Sequence, residues 1–408
     1  MNKSILKKYA RLIAEVGANV QKGQEVVIRA EVENPDFIVL LSEECYKLGA
    51  STVTVDWRCG QLTKLNYKKR SLKTLSTVED WEIAKLKRRA EVLPVLILIE
   101  CDDPDALKGV NQEKVAKSRM AVLKKTKPIS DTMIDKYQWC IAAIPGKKWA
   151  KKVFPNDSTS VAVKKLWDAI LYTSRVTDDP VAAWKAHNED LLNRSAYLNS
   201  LNLRYLCYKS SNGTDLKVGL IDRGTFMGGG ETTLGSGVYY NPNIPTEEVF
   251  TSPKAGVADG IVYATKPLSY QGELIENFWV RFKDGKVVET GGEKNADLLQ
   301  KLVAMDDGAS MLGECALVPY DSPINNSGIL FYNTLFDENC CCHLALGRGF
   351  NNTLRGYEQM SFEECKKAGI NDSSVHVDFM IGTADLTIDG IDDKGNKIAI
   401  FKNGNWAF

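Results

Sequence analysis

The sequence predicts an α/β architecture: an N-terminal domain on a parallel sheet, followed by a strand-rich α+β domain that carries the catalytic groups. Three observations support this. The chain opens with a strand, helix, strand run; two further apolar runs suit buried strands of the same sheet; and beyond about residue 200 short strands alternate with Asp-Gly and Asn-Gly turns. At 408 residues the chain exceeds one ordinary core, so two domains are expected, 1–190 and 191–408.

Taken in order, Val26–Ala30 is the first strand, followed by Asn34 as N-cap and Pro35 at the first helical position. Phe37, Leu41, Cys45 and Leu48 then share one helix face, and Gly49 closes the helix. Thr52–Val55 resumes as a β-branched strand, which makes the run a βαβ unit with parallel strands. Val95–Ile99 and Trp139–Ile144 are apolar throughout, as strands covered on both faces are. From Asp157 to about Ser200 the chain reads as a helical connector, with Val163, Leu166, Ile170, Trp184, Leu191 and Leu192 at helical spacing and a break at Asp178-Asp179-Pro180. The second domain begins after it, with strands at Leu216–Leu220, Phe278–Phe282 before Asp284-Gly285, and Ile398–Phe401 before Asn403-Gly404.

Composition narrows the function. Lys plus Arg equals Asp plus Glu at 52 each, which leaves no global field to draw in a nucleic acid or an anionic membrane. No apolar stretch approaches bilayer length and the first residues form a charged amphipathic pattern, so a cytoplasmic location is expected. The ten cysteines are scattered apart from Cys340-Cys341-Cys342 and form no Cys-x-x-Cys pair; they read as reduced thiols, the triplet as small packing residues. Gly228-Gly229-Gly230 precedes Glu231-Thr232-Thr233 with no Gly-Lys-Ser/Thr, so it reads as a flexible loop and not a phosphate cradle.

The chemistry concentrates in the last third. Two of the three histidines, His343 and His376, lie there among acidic residues. In His376-Val377-Asp378 the period of a strand puts imidazole and carboxylate on one face, as ligands converging on a metal require. Glu314 and Glu338 lie in mostly apolar or small-residue surroundings, where a divalent cation would offset the cost of burying a carboxylate. His187, in Trp184-Lys185-Ala186-His187-Asn188-Glu189, lacks such company and reads as an ordinary helix residue.

The segments Glu248-Val249-Phe250-Thr251, Leu312-Gly313-Glu314-Cys315-Ala316-Leu317-Val318-Pro319, His343-Leu344-Ala345-Leu346-Gly347 and His376-Val377-Asp378-Phe379-Met380-Ile381-Gly382, in this order and spacing, resemble the M29 family of metallo-aminopeptidases, the aminopeptidase T and aminopeptidase S group. The resemblance extends over essentially the whole chain, including Ile144–Ala150 and Gly213–Leu216. It implies two divalent metal ions per chain, Zn, Co or Mn, held by Glu248, Glu314, His343, His376 and Asp378, with Glu338 a further ligand and Glu314 bridging. Glu248 is preferred over Glu247 because the family pattern fixes the Glu directly before Val-Phe-Thr. Two ions roughly 3.5–4 Å apart can activate water and polarise a scissile carbonyl. Glu314 and Glu338 are the candidates for the proton-accepting catalytic group.

The implied protein is a cytoplasmic homodimer acting on peptide N-termini, without nucleic-acid or membrane partners. One position departs from the family pattern: seven residues after His343, where relatives commonly carry a tyrosine, this chain has Phe350. Two alternatives stand beside this reading, the first because carboxylate and imidazole ligands serve other two-metal reactions too, the second because of Phe350. One is another two-metal hydrolase, a phosphoesterase or an amidohydrolase; the other is a weakly active metal-binding relative.

Overall fold

The computed structural model describes residues 2–270 and 273–408. The chain divides into two compact units, Met1–Lys185 with Gly230–Pro245, and Ala186–Gly229 with Thr246–Phe408. In the first, a four-stranded parallel sheet runs in the order Thr52–Arg58, Glu25–Glu31, Val95–Glu100, Trp139–Ala143. Each apolar run read from the sequence is one of these strands. The helix Pro35–Lys47 buries Phe37, Leu41 and Cys45 as the spacing requires, together with Ile38 and Leu40. Gly49, at φ +94°, takes the left-handed conformation that ends it. Asn34 differs from expectation: its side chain does not cap this helix but donates from Nδ2 to the carbonyl of Pro145, 3.1 Å away. The amide is engaged through Nδ2 by a tertiary carbonyl, and no helix N–H donates to its Oδ1.

The connector is helical over Thr159–Thr173 and Pro180–Ser200, and the chain turns between them at the predicted Asp178-Asp179-Pro180 break. Leu166, Ile170, Trp184 and Leu191 are buried, whereas Leu192 faces solvent at 44 % exposure. The late segment 230–245 completes the first unit by running beside its last strand, with Ile141 N donating to Pro242 O at 2.7 Å and a parallel bridge between Ile141 and Asn243.

The second unit holds two antiparallel sheets. The larger has eight strands, in the order Lys286–Gly291, Trp279–Lys283, Pro253–Tyr263, Asp215–Leu220, Leu203–Lys209, Thr387–Asp392, Lys397–Lys402, Asn405–Trp406. Its hairpin turns are those the sequence signals: Asp284-Gly285 and Asn403-Gly404 all have positive φ, between 50° and 77°, as two-residue turns with right-handed strand twist demand. The smaller sheet has five strands, in the order His376–Met380, His343–Gly347, Leu312–Leu317, Val249–Thr251, Met227–Gly228. Gly228 therefore belongs to a strand opposite Val249 and is not part of a free loop. A side chain there would press on Val249 Cγ2 at 2.9 Å, which explains a glycine in extended backbone.

One core joins the sheets, taking Leu206, Val218, Val262 and Val280 from the larger and Cys315, Leu317, Leu344, Leu346 and Phe379 from the smaller. The register then dictates what lies on the opposite face of the smaller sheet. Ala316 pairs with His343, Ala345 with Glu314 on one side and Asp378 on the other, Gly347 with His376, and Phe250 with Ala316. Directly paired residues share a face, as do residues two apart, so Glu314, His343, His376 and Asp378 project together, away from the core.

Leu312 would share that face but for an irregularity: the pairing steps from Leu312–Leu346 directly to Glu314–Ala345, leaving Gly313 as an extra residue. The bulge reverses the alternation, so Leu312 enters the core and Glu314 faces the other way. A Cβ at Gly313 would overlap the carbonyl oxygens of Gly347 and Arg348. Gly313→Ala should therefore cost about 1–3 kcal/mol in urea denaturation, the usual range for overpacking. Gly60→Ala, where a Cβ meets nothing within 4 Å, should leave the midpoint unchanged or slightly raised. Equal midpoints for the two variants would refute the bulge argument.

Candidate metal centre

Two groups of three side chains bring their ligand atoms within 4.8 Å of one another: Glu248, Glu314 and His343, and Glu314, His376 and Asp378. Glu314 belongs to both. The individual approaches are 3.3 Å from His343 Nε2 to Glu248 Oε2, 3.1 Å from His376 Nε2 to Glu314 Oε2, and 3.2 Å from His376 Nε2 to Asp378 Oδ1. The groups are sequestered, with side-chain exposures of 1 % for His343 and 6 % for Glu314, against 26 % for His376.

The far nitrogens of both rings face the backbone. His376 Nδ1 lies 2.7 Å from the carbonyl of Arg348, and His343 Nδ1 lies 3.4 Å from that of Cys341. A carbonyl can only accept, so each Nδ1 carries a proton and each Nε2 turns a lone pair or a second proton toward the carboxylates. This is the arrangement by which an outer partner fixes the tautomer of a metal-ligating histidine. Asp378 Oδ1 is buried and makes no hydrogen bond of acceptable geometry, a costly state that a cation relieves. The donor set, carboxylate oxygens and imidazole nitrogens, fits a divalent ion.

Without such an ion the electrostatics are strained. Burial disfavours the imidazolium of His343, but its hydrogen bond to Glu248 and the charges of Glu248, Glu314 and Asp378 outweigh this and raise its pKa to about 10. Burial opposes charge on His376 too, and Asp378 and Glu314 together raise it to about 11. Desolvation raises the Glu314 carboxyl, with His376 pulling against it and Glu248 and Asp378 pushing further up. Asp378 is also desolvated, yet His376 beside it brings its carboxyl below the ordinary range.

Glu338 sits in the short turn Glu338–Cys340 and belongs to neither group of three. Desolvation and the nearby charges of Asp378 and Glu248 push its pKa well above the usual carboxylate value, against a weaker pull from His343. Its neighbour Asp337 accepts from the backbone N–H groups of Phe331 and Asn333 at 2.8 and 3.0 Å, pinning the loop that leads into the turn. Of the three cysteines that follow, Cys340 and Cys341 bring their sulfurs within 3.6 Å of each other, and Cys342 donates to Val318 O inside the core. They pack, as expected, and Cys341 serves the site through its carbonyl. All ten cysteines are free thiols.

Two residues near the site escaped the sequence reading. Asn339, fully buried, accepts from Glu247 N at 2.8 Å through Oδ1 and offers Nδ2 to Leu335 O and Glu338 Oε1. His187 lies in a helix as expected, but its Nε2 donates to Thr246 O at 2.7 Å, two residues before Glu248. Neither contact leaves a local signal, because the partners are 92 and 59 residues apart.

Phe350 occupies the position where the sequence pattern leads one to look for a tyrosine. Its ring lies 4.9 Å from that of His376 and 5.6 Å from that of Phe250, so it forms an apolar wall beside the centre with no hydroxyl to donate. The guanidinium of Arg348 lies over Phe362 at 5.9 Å, and Tyr357 packs on the cluster of Ile221, Leu354, Cys365 and Ile370.

The family model described as thermophilic metalloprotease (M29) matches residues 2–406. The chain belongs to the M29 family. Among its relatives, aminopeptidase AmpS of Bacillus subtilis (strain 168) is 42 % identical over 405 residues, covering 99 % of this chain and 98 % of that protein. Aminopeptidase 2 of Geobacillus stearothermophilus is 40 % identical over the same length and coverage. The solved structure of wild-type AmpT from Thermus thermophilus superposes with a TM-score of 0.92 at 37 % identity, covering 100 % of both chains. The M29 chain thus shares its α/β fold with a metalloprotease relative from end to end.

The raised histidines make a test possible. Both are charged at pH 7 in the metal-free protein, with pKa values of about 10 and about 11, and each must lose its Nε2 proton before that nitrogen can ligate. Titrating metal into chelator-stripped protein in weak buffer at pH 7–8 should release at least two protons per chain, one from each imidazole and more where Glu314 or Glu338 holds one; no release would contradict imidazole ligation. The metal-free form should also lose stability with rising pH. A folded pKa above the unfolded value of about 6.5 gives stability that is complete below about pH 6.5 and gone above the folded pKa. Its melting temperature should accordingly fall between about pH 6.5 and pH 11.

Proposed function

We propose that this metallopeptidase releases residues from the N-termini of peptides with water activated between two divalent ions, one held by Glu248, Glu314 and His343 and the other by Glu314, His376 and Asp378. The observation that carries the reading is the membership of Glu314 in both groups, which makes it the residue able to bridge. When bound, the two ions would lower the pKa of a shared water and polarise the scissile carbonyl. Four carboxylates, counting Glu338, supply the charge that two dications need.

Glu338 is the group we assign to proton transfer. It lies beside the centre but outside both groups, a position from which a carboxylate can take a proton from water and return it to the leaving amine. A free α-amine could ligate one ion or pair with a site carboxylate, which is how the site would select N-termini. Carboxylate and imidazole donors do not discriminate strictly among Zn, Co and Mn, so each is proposed to support turnover. We place the protein in the cytoplasm as a homodimer acting on unfolded peptides; its free thiols agree with a reducing compartment, and no helix among the described residues is long and apolar enough to cross a membrane. Sedimentation of the purified chain at twice its 45.3 kDa mass is the expected result.

A second reading, that of a weakly active metal-binding relative, is favoured by the hydroxyl-free ring of Phe350 against His376. Kinetics separate the two. Metal-loaded protein should hydrolyse aminoacyl arylamides and leave phosphate esters intact; exhaustive chelation should abolish the activity, and Zn²⁺, Co²⁺ or Mn²⁺ should restore it. Cleavage of phosphate esters alone, or full activity with no metal by elemental analysis, would overturn the proposal. Glu314→Gln should remove turnover while the far-UV spectrum is retained. Activity that emerges only in Phe350→Tyr, with a gain on the order of 10²–10³, would instead support the second reading.

A further inference from the structure

We propose that His187 is a positioning residue of the metal centre: through Thr246 it fixes the short segment from which Glu248 reaches the ions. The inference rests on the metal-binding reading above.

Glu248 is followed by a regular ladder, with Val249 paired to Leu317 on one side and to Gly228 on the other. Immediately before it, Thr246 and Glu247 belong to no strand. On that side the backbone is held by His187, whose Nε2–H donates to Thr246 O at 2.7 Å, and by Asn339, whose Oδ1 accepts from Glu247 N at 2.8 Å. The imidazole is well placed to do this, with only 10 % of its side chain exposed and Glu247 Oε2 3.9 Å from the same nitrogen.

Two adjacent glutamates make the contact consequential. In extended backbone their side chains diverge, and here Glu247 turns toward His187 while Glu248 turns toward His343 at 3.3 Å. A slip or rotation by one residue would exchange them, carrying Glu248 out of the site. The ladder from Val249 onward limits that motion from one end; His187 and Asn339 limit it from the other. Asn339 adds a second link, since its Nδ2 reaches Glu338 Oε1 at 3.4 Å and so joins the Glu248 segment to the proposed proton-transfer residue. His187 thus touches no reacting atom, yet sets the position of one that does.

The test measures metal binding and not turnover alone. Stripped full-length chain is titrated with Co²⁺ against a chelating dye, and the ligand-field absorption of the loaded form is recorded. His187→Leu fills the space but cannot donate, and should weaken Co²⁺ binding on the order of 10- to 100-fold, as loss of an outer partner does. It should also shift the absorption bands. His187→Gln, whose side-chain N–H can reach the same carbonyl, should restore most of the affinity and the wild-type spectrum; His187→Asn, one methylene shorter, should not. If the leucine variant fails to fold, the comparison of Gln with Asn decides. Wild-type affinity and spectrum in the Leu and Asn variants, or in Asn alone where Leu does not fold, would overturn the inference and leave the metal site intact. Failure of the unmutated chain to bind Co²⁺ would instead overturn the metal-binding reading itself.

Discussion

Everything around the centre follows from placing like charges together on one face of a sheet. Carboxylates at positions 248, 314 and 378 approach to within a few ångströms of shared imidazoles, and a fourth at 338 lies beside them. Outside water such a set cannot remain fully ionised without cations; protons must be taken up, or metal must be bound. The raised imidazoles and the raised carboxyls of Glu314 and Glu338 are the first of these outcomes. A divalent ion provides the second. The rest of the second unit holds these charges together.

Sheet parity does most of that holding. The face opposite the charges carries Cys315, Leu317, Leu344, Leu346 and Phe379 into a core shared with the larger sheet. Any register slip would expose these and bury the charges among apolar side chains, so the apolar face secures the register of the polar one. The bulge at Gly313 is the one place where parity is broken, and it is broken to advantage, because it admits Leu312 to the core without turning Glu314 away from the site. Stability and site geometry are thereby tied to the same pairings. The imidazoles are fixed in turn by main-chain carbonyls of Cys341 and Arg348, which constrains the path of the backbone more than the identity of either side chain.

The legible parts of this design were those governed by local period. His376 and Asp378 announce a shared face because strands repeat every two residues, and the strands of the parallel sheet announce themselves, three as apolar runs of the right length and Thr52–Val55 by its β-branched residues. Glu248 could not be separated from Glu247 on that basis, since both are glutamates at the mouth of one strand; only the resemblance to a family pattern chose between them. The bulge at Gly313 is invisible locally, because a bulge exists only relative to its partner strand. Asn34 illustrates the same limit from the other side: its sequence context is that of a helix cap, yet its side chain makes no cap and its Nδ2 donates to the distant carbonyl of Pro145. His187 and Asn339 are long-range in the same sense, and no composition rule would have set them apart from other helix and turn residues.

The two halves of the centre are not equivalent, and the difference bears on how a substrate would approach. His343 is almost wholly enclosed, whereas His376 keeps a quarter of its surface open and carries the ring of Phe350 against it. On the proposed reading, the ion near His343 is the more shielded and its field the less screened by solvent, while the ion near His376 lies on the accessible side. A peptide would therefore meet the His376 half first, along a wall formed by Phe250 and Phe350. That wall is apolar, so it can exclude water from the carbonyl under attack but cannot donate a proton to its oxygen. On the proposed reading, stabilisation of the developing oxyanion would then fall on the metals and on Glu338 once it has taken up a proton from the attacking water.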